Sequence, residues 1–416
     1  MRTIDFSKTG FGTTAIHAGQ KRDPEHSAIA TPIFQTTNYS FETVKEASDA
    51  FVGISGRYDY SRIGNPTVRV LENKMAVLEQ AEDALCTGSG MAAINATILA
   101  LVQAGDHVIA ADTLYGGTDT VMRKLLPKLD IATSFVDIHD PQALDASFRP
   151  ETKILYLETA ANPTMKVADI AAVSAAAHRH GVKVVVDNTF TPPPICRPLT
   201  LGADIVVHSM TKYLNGHGDV VAGVVCGSNA DLKRIYRCLS DLSGASLSAQ
   251  NAYLIIRGMK TLELRLQRHS DNAKDLCAWL EQQPWIEKVY NPCLASCGVD
   301  HEIAKKQFGS ELTSGMVAFE CAPYRGHTPF EVAETLLNNL TIPAIAVSLG
   351  DPDSLIQHPA GMTHSNVPKE ERLKEGITDG MVRMSVGLEN LQDLIDDFKE
   401  AAKALQPLQT PAPQEL

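Results

Sequence analysis

Between about residue 65 and residue 219, apolar positions alternate between helical spacing and short unbroken runs. That alternation predicts a largely parallel sheet covered by helices, an α/β architecture. Pro66 suits the first turn of a helix over 66–80, where Val70, Leu71, Met75 and Leu78 share one face. Strands are expected over 107–111, 154–158, 184–187 and 205–208. Between the second and third of these lies a helix over 169–180, stopped by Gly181. Beyond Gly258 the pattern changes to a long amphipathic stretch, 261–282, and then to shorter strands mixed with helices. The last helix carries Leu391, Leu394, Ile395, Phe398, Ala402 and Leu405 at helical spacing. Pro407 and the tail from Thr410 to Pro413 end it.

No long periodic element precedes Asn65, and Tyr58-Asp59-Tyr60-Ser61-Arg62 sits in a loop near glycines. The expected organisation is therefore an N-terminal arm over 1–64, a large domain over 65–258 and a C-terminal α/β domain over 259–416. The arm reads either as a contribution to a neighbouring subunit or as a plain surface loop.

Length supports more than one structural region, because 416 residues exceed what a single core usually fills. With 37 basic against 49 acidic residues the formal charge is −12, which argues against nucleic acid or an anionic membrane as partner. The start of the chain has no apolar leader-like core, and no apolar run reaches the roughly 18 residues of a membrane span. These features point to a cytoplasmic protein. Eight scattered cysteines lack the density of a disulfide scaffold and read as reduced thiols. Cys293 and Cys297 are the nearest pair, with His301 close behind, but a metal site would need further ligands.

The candidate chemistry centres on Lys212. The run Asp204-Ile205-Val206-Val207-His208 delivers it to a strand end, and Leu214-Asn215-Gly216-His217-Gly218-Asp219 follows as a turn-rich segment. Strand ends in open α/β sheets are where ligands bind. A lysine that attacks a carbonyl must shed its proton part of the time. Four further groups fit a pyridoxal phosphate site. Asp187 ends Val184-Val185-Val186, 25 positions before Lys212, and could hold a pyridinium nitrogen; the alternative is a turn or cap aspartate. Gly88-Ser89-Gly90-Met91 opens a helix-like run and could offer backbone N–H groups to a phosphate, or be an ordinary tight turn. Ser209 and Thr211 could add hydroxyls. Tyr115 follows the strand at 107–111 and could stack on a ring and donate a proton, or simply pack. Arg383 is a lone charge in the alternating strand Met381-Val382-Arg383-Met384-Ser385, suited to a substrate carboxylate or an internal salt bridge.

Taken together, these residues resemble the Cys/Met-metabolism family of pyridoxal-phosphate enzymes. The resemblance runs through Tyr60-Ser61-Arg62-Ile63-Gly64-Asn65-Pro66-Thr67, Gly88 to Met91, Leu114-Tyr115-Gly116-Gly117, Glu158-Thr159-Ala160-Ala161-Asn162-Pro163, Val186-Asp187-Asn188-Thr189, the Lys212 segment and Ser385-Val386-Gly387-Leu388-Glu389. It implies a fold-type I, aspartate-aminotransferase-like architecture and a homotetramer built from two tight dimers. It makes Lys212 the Schiff-base lysine, Asp187 the pyridinium partner and Tyr115 the stacking ring. Gly90, Met91, Ser209 and Thr211 would bind the phosphate with Tyr60 and Arg62 of the partner subunit. Asn162, Ser348 and Arg383 would orient the cofactor oxygen and the substrate carboxylate.

Within that family, Val347 stands where cystathionine enzymes usually carry a glutamate. Valine offers nothing to a distal ammonium and favours an apolar thioether. The stretch from His358 to Gly380 looks most like methionine γ-lyases. Two departures concern the substrate end of the pocket: Gly117 replaces a usual cysteine, and Ser240 replaces a lysine expected just before Asp241. The expected reaction is γ-elimination of L-methionine, and of homocysteine, to a thiol, 2-oxobutanoate and ammonia. The resemblance makes Lys212 the base at Cα and Tyr115 the acid for the leaving thiolate. The alternatives are an O-acetylhomoserine sulfhydrylase, a cystathionine γ-lyase-type enzyme, a metal hydrolase using His208, His217 and Asp219, or a non-catalytic binding protein.

Overall fold

The computed structural model describes residues 4–21, 23, 25–309, 311–374 and 376–407. The extreme N-terminus (residues 1–3) and the tail from Thr410 to Pro413 lie outside the described residues. The chain divides into two compact units. The first comprises Met1–Ala160, Ala168–Leu264 and Gln307–Ser310; the second comprises Ala161–Val167, Arg265–Lys306 and Glu311–Leu416.

In the first unit a seven-stranded sheet is built from β1 (Asp83–Thr87), β2 (His107–Ala111), β3 (Ala132–Val136), β4 (Thr152–Glu158), β5 (Lys183–Asp187), β6 (Ile205–Ser209) and β7 (Gly223–Gly227). Their order across the sheet is β1-β7-β6-β5-β4-β2-β3. The pairs from β6 through β3 are parallel, and β7 runs antiparallel to β6 and β1. Ile154, Leu155, Val184, Val185, Val186, Ile205, Val206 and Val207 are wholly buried. A sheet covered on both faces removes the solvent side, so its strands read as continuous apolar runs instead of alternating ones. This mostly parallel sheet is the α/β architecture expected from the chain's periodicity.

The strands expected at 107–111, 154–158, 184–187 and 205–208 all form, three of them with one or two extra residues. The helix Pro66–Glu79 is capped by Asn65, whose Oδ1 accepts the Thr67 N–H at 2.9 Å, and Gln80 turns out of it with φ 58°. Asp169 caps the helix Ile170–Arg179 in the same way, and Gly181 follows at φ 69°. Within the first 64 residues, the described helices are short: Phe6–Lys8, Phe11–His17 and Val44–Phe51.

The second unit carries a five-stranded sheet of β8 (Ile286–Tyr290), β9 (Met316–Cys321), β10 (Ala344–Ile345), β11 (Leu355–Gln357) and β12 (Met381–Ser385), in the order β10-β11-β12-β9-β8. Only β10 and β11 pair in parallel. The long helix Leu262–Leu280 forms within the amphipathic stretch. The last helix, Leu391–Ala402, buries Leu394, Phe398 and Ala401, and Leu405 is buried just beyond it. Phe398 lies 6.1 Å from Trp279, 6.4 Å from Trp285 and 6.4 Å from Phe319 between ring centres, an aromatic core on one side of the sheet.

Candidate active site

Because β4, β5 and β6 are parallel and in register, their last residues reach one edge together. Glu158 pairs with Asp187, and Asp187 with Val207. The chain leaving β6 turns at once: the Lys212 N–H donates to Ser209 O at 3.3 Å, and Gly216 N–H donates to Lys212 O at 2.8 Å. Met210 and Tyr213 on either side are wholly buried. They anchor the turn while Lys212 stays half-buried. Gly216 and Gly218 hold positive φ angles of 67° and 66°, which is why this turn is rich in glycine.

Asp187 sits in the same edge. Its Oδ1 accepts the Thr189 N–H at 3.0 Å, and the Tyr156 hydroxyl lies 3.5 Å from Oδ2. Burial pushes its carboxyl above the usual range, against the opposing pull of the Thr189 hydrogen bonds, His208 and Tyr156. A carboxyl in that condition is suited to a cationic N–H partner, which would favour its ionised form. Thr189 also ties two strand ends together, because its hydroxyl accepts the Ser209 N–H at 2.9 Å.

The glycine turn lies against β6. Ser89 caps the helix Gly90–Leu101, its hydroxyl accepting the Ala92 N–H at 3.1 Å. A Cβ placed on Gly90 would lie 2.8 Å from Ser209 Cβ and 3.0 Å from Ser209 Cα. A Cβ on Gly223 would collide with the Ser89 carbonyl oxygen. Glycine at both places lets the helix N-terminus approach the sheet closely, with its first N–H groups and positive dipole end beside Ser209. The Thr211 hydroxyl accepts the Ala222 N–H at 3.1 Å and donates to Ala222 O at 3.3 Å. It therefore also braces the chain into β7.

Tyr115 begins the short helix Gly116–Thr120 and leaves 45 % of its surface exposed. Its backbone N–H donates to Glu158 Oε1 at 2.5 Å. Sequence reasoning gave Glu158 no role. The available signal was its place at the end of an apolar strand run, the same signal that marked Asp187. A Cβ on Gly117 would lie 2.6 Å from Tyr115 Cε1 and 2.7 Å from Met91 Sδ. Glycine thus leaves that space to the ring and the thioether. In the loop before Asn65, the Arg62 guanidinium donates to Ser240 O and lies 5.6 Å from the centre of the Tyr60 ring. The Ser240 hydroxyl donates to Asp241 Oδ1 at 2.7 Å.

In the second unit, Arg383 is buried at the centre of β12, between Ala318 of β9 and Gln357 of β11. Its guanidinium donates to Asn162 Oδ1 at 3.0 Å and to Ser348 O at 2.8 Å. Ser348 holds φ at 92°, a left-handed conformation that costs a non-glycine residue energy and often marks a working site. Val347 beside it is 56 % exposed.

The histidines considered as metal ligands have other duties. His208 Nε2 meets Glu79 Oε1 at 2.5 Å, with both side chains wholly buried, and Asn188 Nδ2 reaches the same oxygen at 3.2 Å. His217 Nδ1 meets Asn215 O at 2.8 Å, and His301 Nδ1 meets Pro292 O at 2.8 Å. Among the described residues no group of three or more His, Cys, Asp or Glu is placed to hold a metal ion.

The donor set of the first unit fits pyridoxal 5′-phosphate: a lysine and a buried carboxyl at neighbouring strand ends, and a helix N-terminus kept open by Gly90. Comparison with known proteins agrees. The profile of the family described as Cys/Met metabolism PLP-dependent enzyme matches residues 12–403. The L-methionine gamma-lyase of Fusobacterium nucleatum subsp. polymorphum is 47% identical, and that of Porphyromonas gingivalis 46%; each alignment covers 97% of this chain and 100% of the relative. A solved Campylobacter jejuni structure, a putative O-acetylhomoserine (thiol)-lyase with N′-pyridoxyl-lysine-5′-monophosphate, superposes with a TM-score of 0.88. It is 32% identical and covers 94% of this chain and 99% of its own.

Proposed function

Since the chain belongs to the Cys/Met metabolism family of PLP-dependent enzymes, we propose that it breaks the Cγ–S bond of L-methionine, releasing methanethiol, 2-oxobutanoate and ammonia, and treats homocysteine alike. The observation that carries this reading is 46% and 47% identity to two L-methionine gamma-lyases over their whole length. When bound, pyridoxal phosphate supplies an electron sink for the substrate's Cα carbanion.

The chain's own residues divide the remaining work. Lys212 would hold the cofactor covalently and, as a free amine, would carry the protons that Cα and then Cβ must lose before the Cγ–S bond can break. Asp187 keeps the ring nitrogen protonated. Gly90, Met91, Ser209 and Thr211 bind the phosphate. Tyr115 stacks on the ring and protonates the departing sulfur. Asn162 and Ser348 orient the cofactor oxygen and the substrate, and Arg383 takes the substrate carboxylate with its planar fork. Val347 favours an apolar thioether end. Gly117, Ser240 and Asp241 belong to the substrate end.

The active form in this reading is a cytoplasmic homotetramer, a dimer of dimers in which Tyr60 and Arg62 of the partner subunit complete the phosphate site. The arm supports it: Ile29 is 92%, Val44 89% and Ile54 76% exposed, apolar surface suited to packing on another copy. Among the described residues no helix is long and apolar enough to cross a membrane.

A second reading is an O-acetylhomoserine sulfhydrylase, because Gly117 stands where methionine γ-lyases usually carry a cysteine, and a Cβ there would crowd the Tyr115 ring and the Met91 thioether as they now lie. One experiment separates the two. Keto-acid and thiol release is measured side by side from methionine, homocysteine, cystathionine and cysteine, together with homocysteine formation from O-acetylhomoserine and sulfide. The leading reading expects 2-oxobutanoate from methionine alone. Product only with O-acetylhomoserine and sulfide would replace it, and preference for cystathionine would reassign the enzyme to the cystathionine γ-lyase type.

A further inference from the structure

Behind the proposed cofactor groups lies a buried acid and base that no step of the reaction uses. Glu79 closes the helix Pro66–Glu79, and its Oε1 takes two partners, His208 Nε2 at 2.5 Å and Asn188 Nδ2 at 3.2 Å. Asn188 Nδ2 also donates to Cys196 O at 3.0 Å, and its Oδ1 accepts the Thr159 hydroxyl at 2.8 Å and the Thr191 hydroxyl at 2.9 Å. Glu79, Thr159, Asn188 and Thr191 are wholly buried, and so is the His208 side chain.

Register places this cluster directly behind the site. Asp187 pairs with Val207, so Asn188 and His208 are the next residues along two neighbouring strands. Side chains alternate between the faces of a sheet. Asp187, Val207 and Ser209 therefore share one face, and Asn188 and His208 meet Glu79 on the other. Backbone bonds join the strand ends themselves: Asn188 N–H donates to Val207 O at 3.0 Å, and Thr159 N–H donates to Asp187 O at 3.0 Å. The cluster thus ties the ends of β4, β5 and β6 to one helix terminus. Stability is a poor account of it. Glu79 stands at the C-terminal end of its helix, where the dipole disfavours a negative charge. Its Oε2 and His208 Nδ1 find no hydrogen-bond partner among the described residues. Buried ion pairs can often be replaced by apolar side chains without loss.

We propose that Glu79 and His208 are positioning residues for pyridoxal phosphate: through Asn188 and the ends of β5 and β6 they fix Asp187 relative to Ser209. The cofactor carries its ring nitrogen and its phosphate on one rigid ring, so a site for it must hold the partners of both at one spacing, to within about 0.5 Å. Electrostatics acts in the same direction. Burial raises the Asp187 carboxyl, and His208 opposes that rise. The inference rests on the reading of Asp187 and Ser209 as cofactor-binding groups.

The test replaces the pair by apolar residues, Glu79→Leu with His208→Phe, strips the full-length enzyme and titrates it with pyridoxal phosphate by visible absorbance. The stripped variant should unfold in denaturant close to wild type yet bind the cofactor about 10- to 100-fold more weakly, the scale on which outer partners of metal ligands act. At saturating cofactor its visible band should also move, a signature that a general loss of stability does not produce. The control is Phe398→Leu in the aromatic core of the second unit, which should lower stability and keep cofactor affinity within about twofold. A folded double variant with wild-type affinity and band, or a control that weakens binding as much, overturns the proposal. Should the double variant fail to fold, Glu79→Gln, which keeps the shape and removes the charge, decides by the same two readouts. Asp187→Asn separates this inference from the assignment of Asp187: unchanged affinity there removes Asp187 from the cofactor site, whereas a loss there beside wild-type behaviour of the double variant strikes only the pair.

Discussion

Gly90→Ala tests the close approach of the helix Gly90–Leu101 to β6. The backbone at Gly90 does not hold a positive φ, and alanine is the better helix former by about 1 kcal/mol, so local conformation alone predicts a gain. The tertiary contact predicts a loss. The new Cβ would stand 2.8 Å from Ser209 Cβ, against the roughly 3.5–4.0 Å of carbon atoms in contact. An overlap of about 0.7–1.2 Å must be relieved, and the other nearest atoms, Ser209 Cα and Oγ at 3.0 and 3.1 Å, leave little slack. Overpacking of this kind costs about 1–3 kcal/mol. If relief moves the helix N-terminus away from Ser209, cofactor affinity falls by about 5- to 150-fold. Titration of cofactor-stripped enzyme with pyridoxal phosphate, followed by visible absorbance, reads that change, and far-ultraviolet circular dichroism checks that the helices persist. Affinity within about twofold of wild type, a difference of only about 0.4 kcal/mol, would refute the argument that Gly90 keeps this approach open.

Lys212→Ala should abolish both turnover and the cofactor's visible absorbance; a variant keeping both removes Lys212 from its role. Tyr115→Phe should lower turnover by about 100-fold or more while the cofactor stays bound, the usual scale of general acid–base catalysis. Unchanged turnover would assign the proton to another group. In the second unit, burial raises the Glu320 carboxyl to about 7 from its ordinary 4.5. The folded form then binds a proton that the unfolded chain releases, so stability should fall as pH rises from 4.5 to 7, by no more than about 3 kcal/mol. Glu320→Gln should flatten that dependence in denaturant unfolding; an unchanged slope would show that Glu320 does not carry it.

The strands of the larger sheet were legible because each is short, apolar and bounded by turn-formers. The signal is local, and burial on both faces makes it continuous. The neighbouring β3 and β7 carried less of it. The edge strand Ala132–Val136 is exposed or half-buried over its first four residues, and Gly223–Gly227 is framed by glycines. Arg383 was read as the odd charge in an alternating strand, yet all five residues of β12 are buried. Its guanidinium meets an amide oxygen and a backbone carbonyl.

By itself, the sequence determined the chemistry available at the strand ends: a lysine, an aspartate, a glycine turn and a tyrosine, each marked by an interrupted apolar run. Periodicity carries this information because it depends on near neighbours alone. Tertiary structure decided what those groups touch. Parallel register sets Glu158 beside Asp187 and makes it the acceptor for Tyr115 N–H. The fold also gathers Ala161–Val167 into the second unit, where Asn162 meets Arg383, 221 positions away. It gives Gly90 and Gly117 their necessity through Ser209, Tyr115 and Met91. No local pattern encodes such contacts, because they arise only when distant segments compete for the same few ångströms.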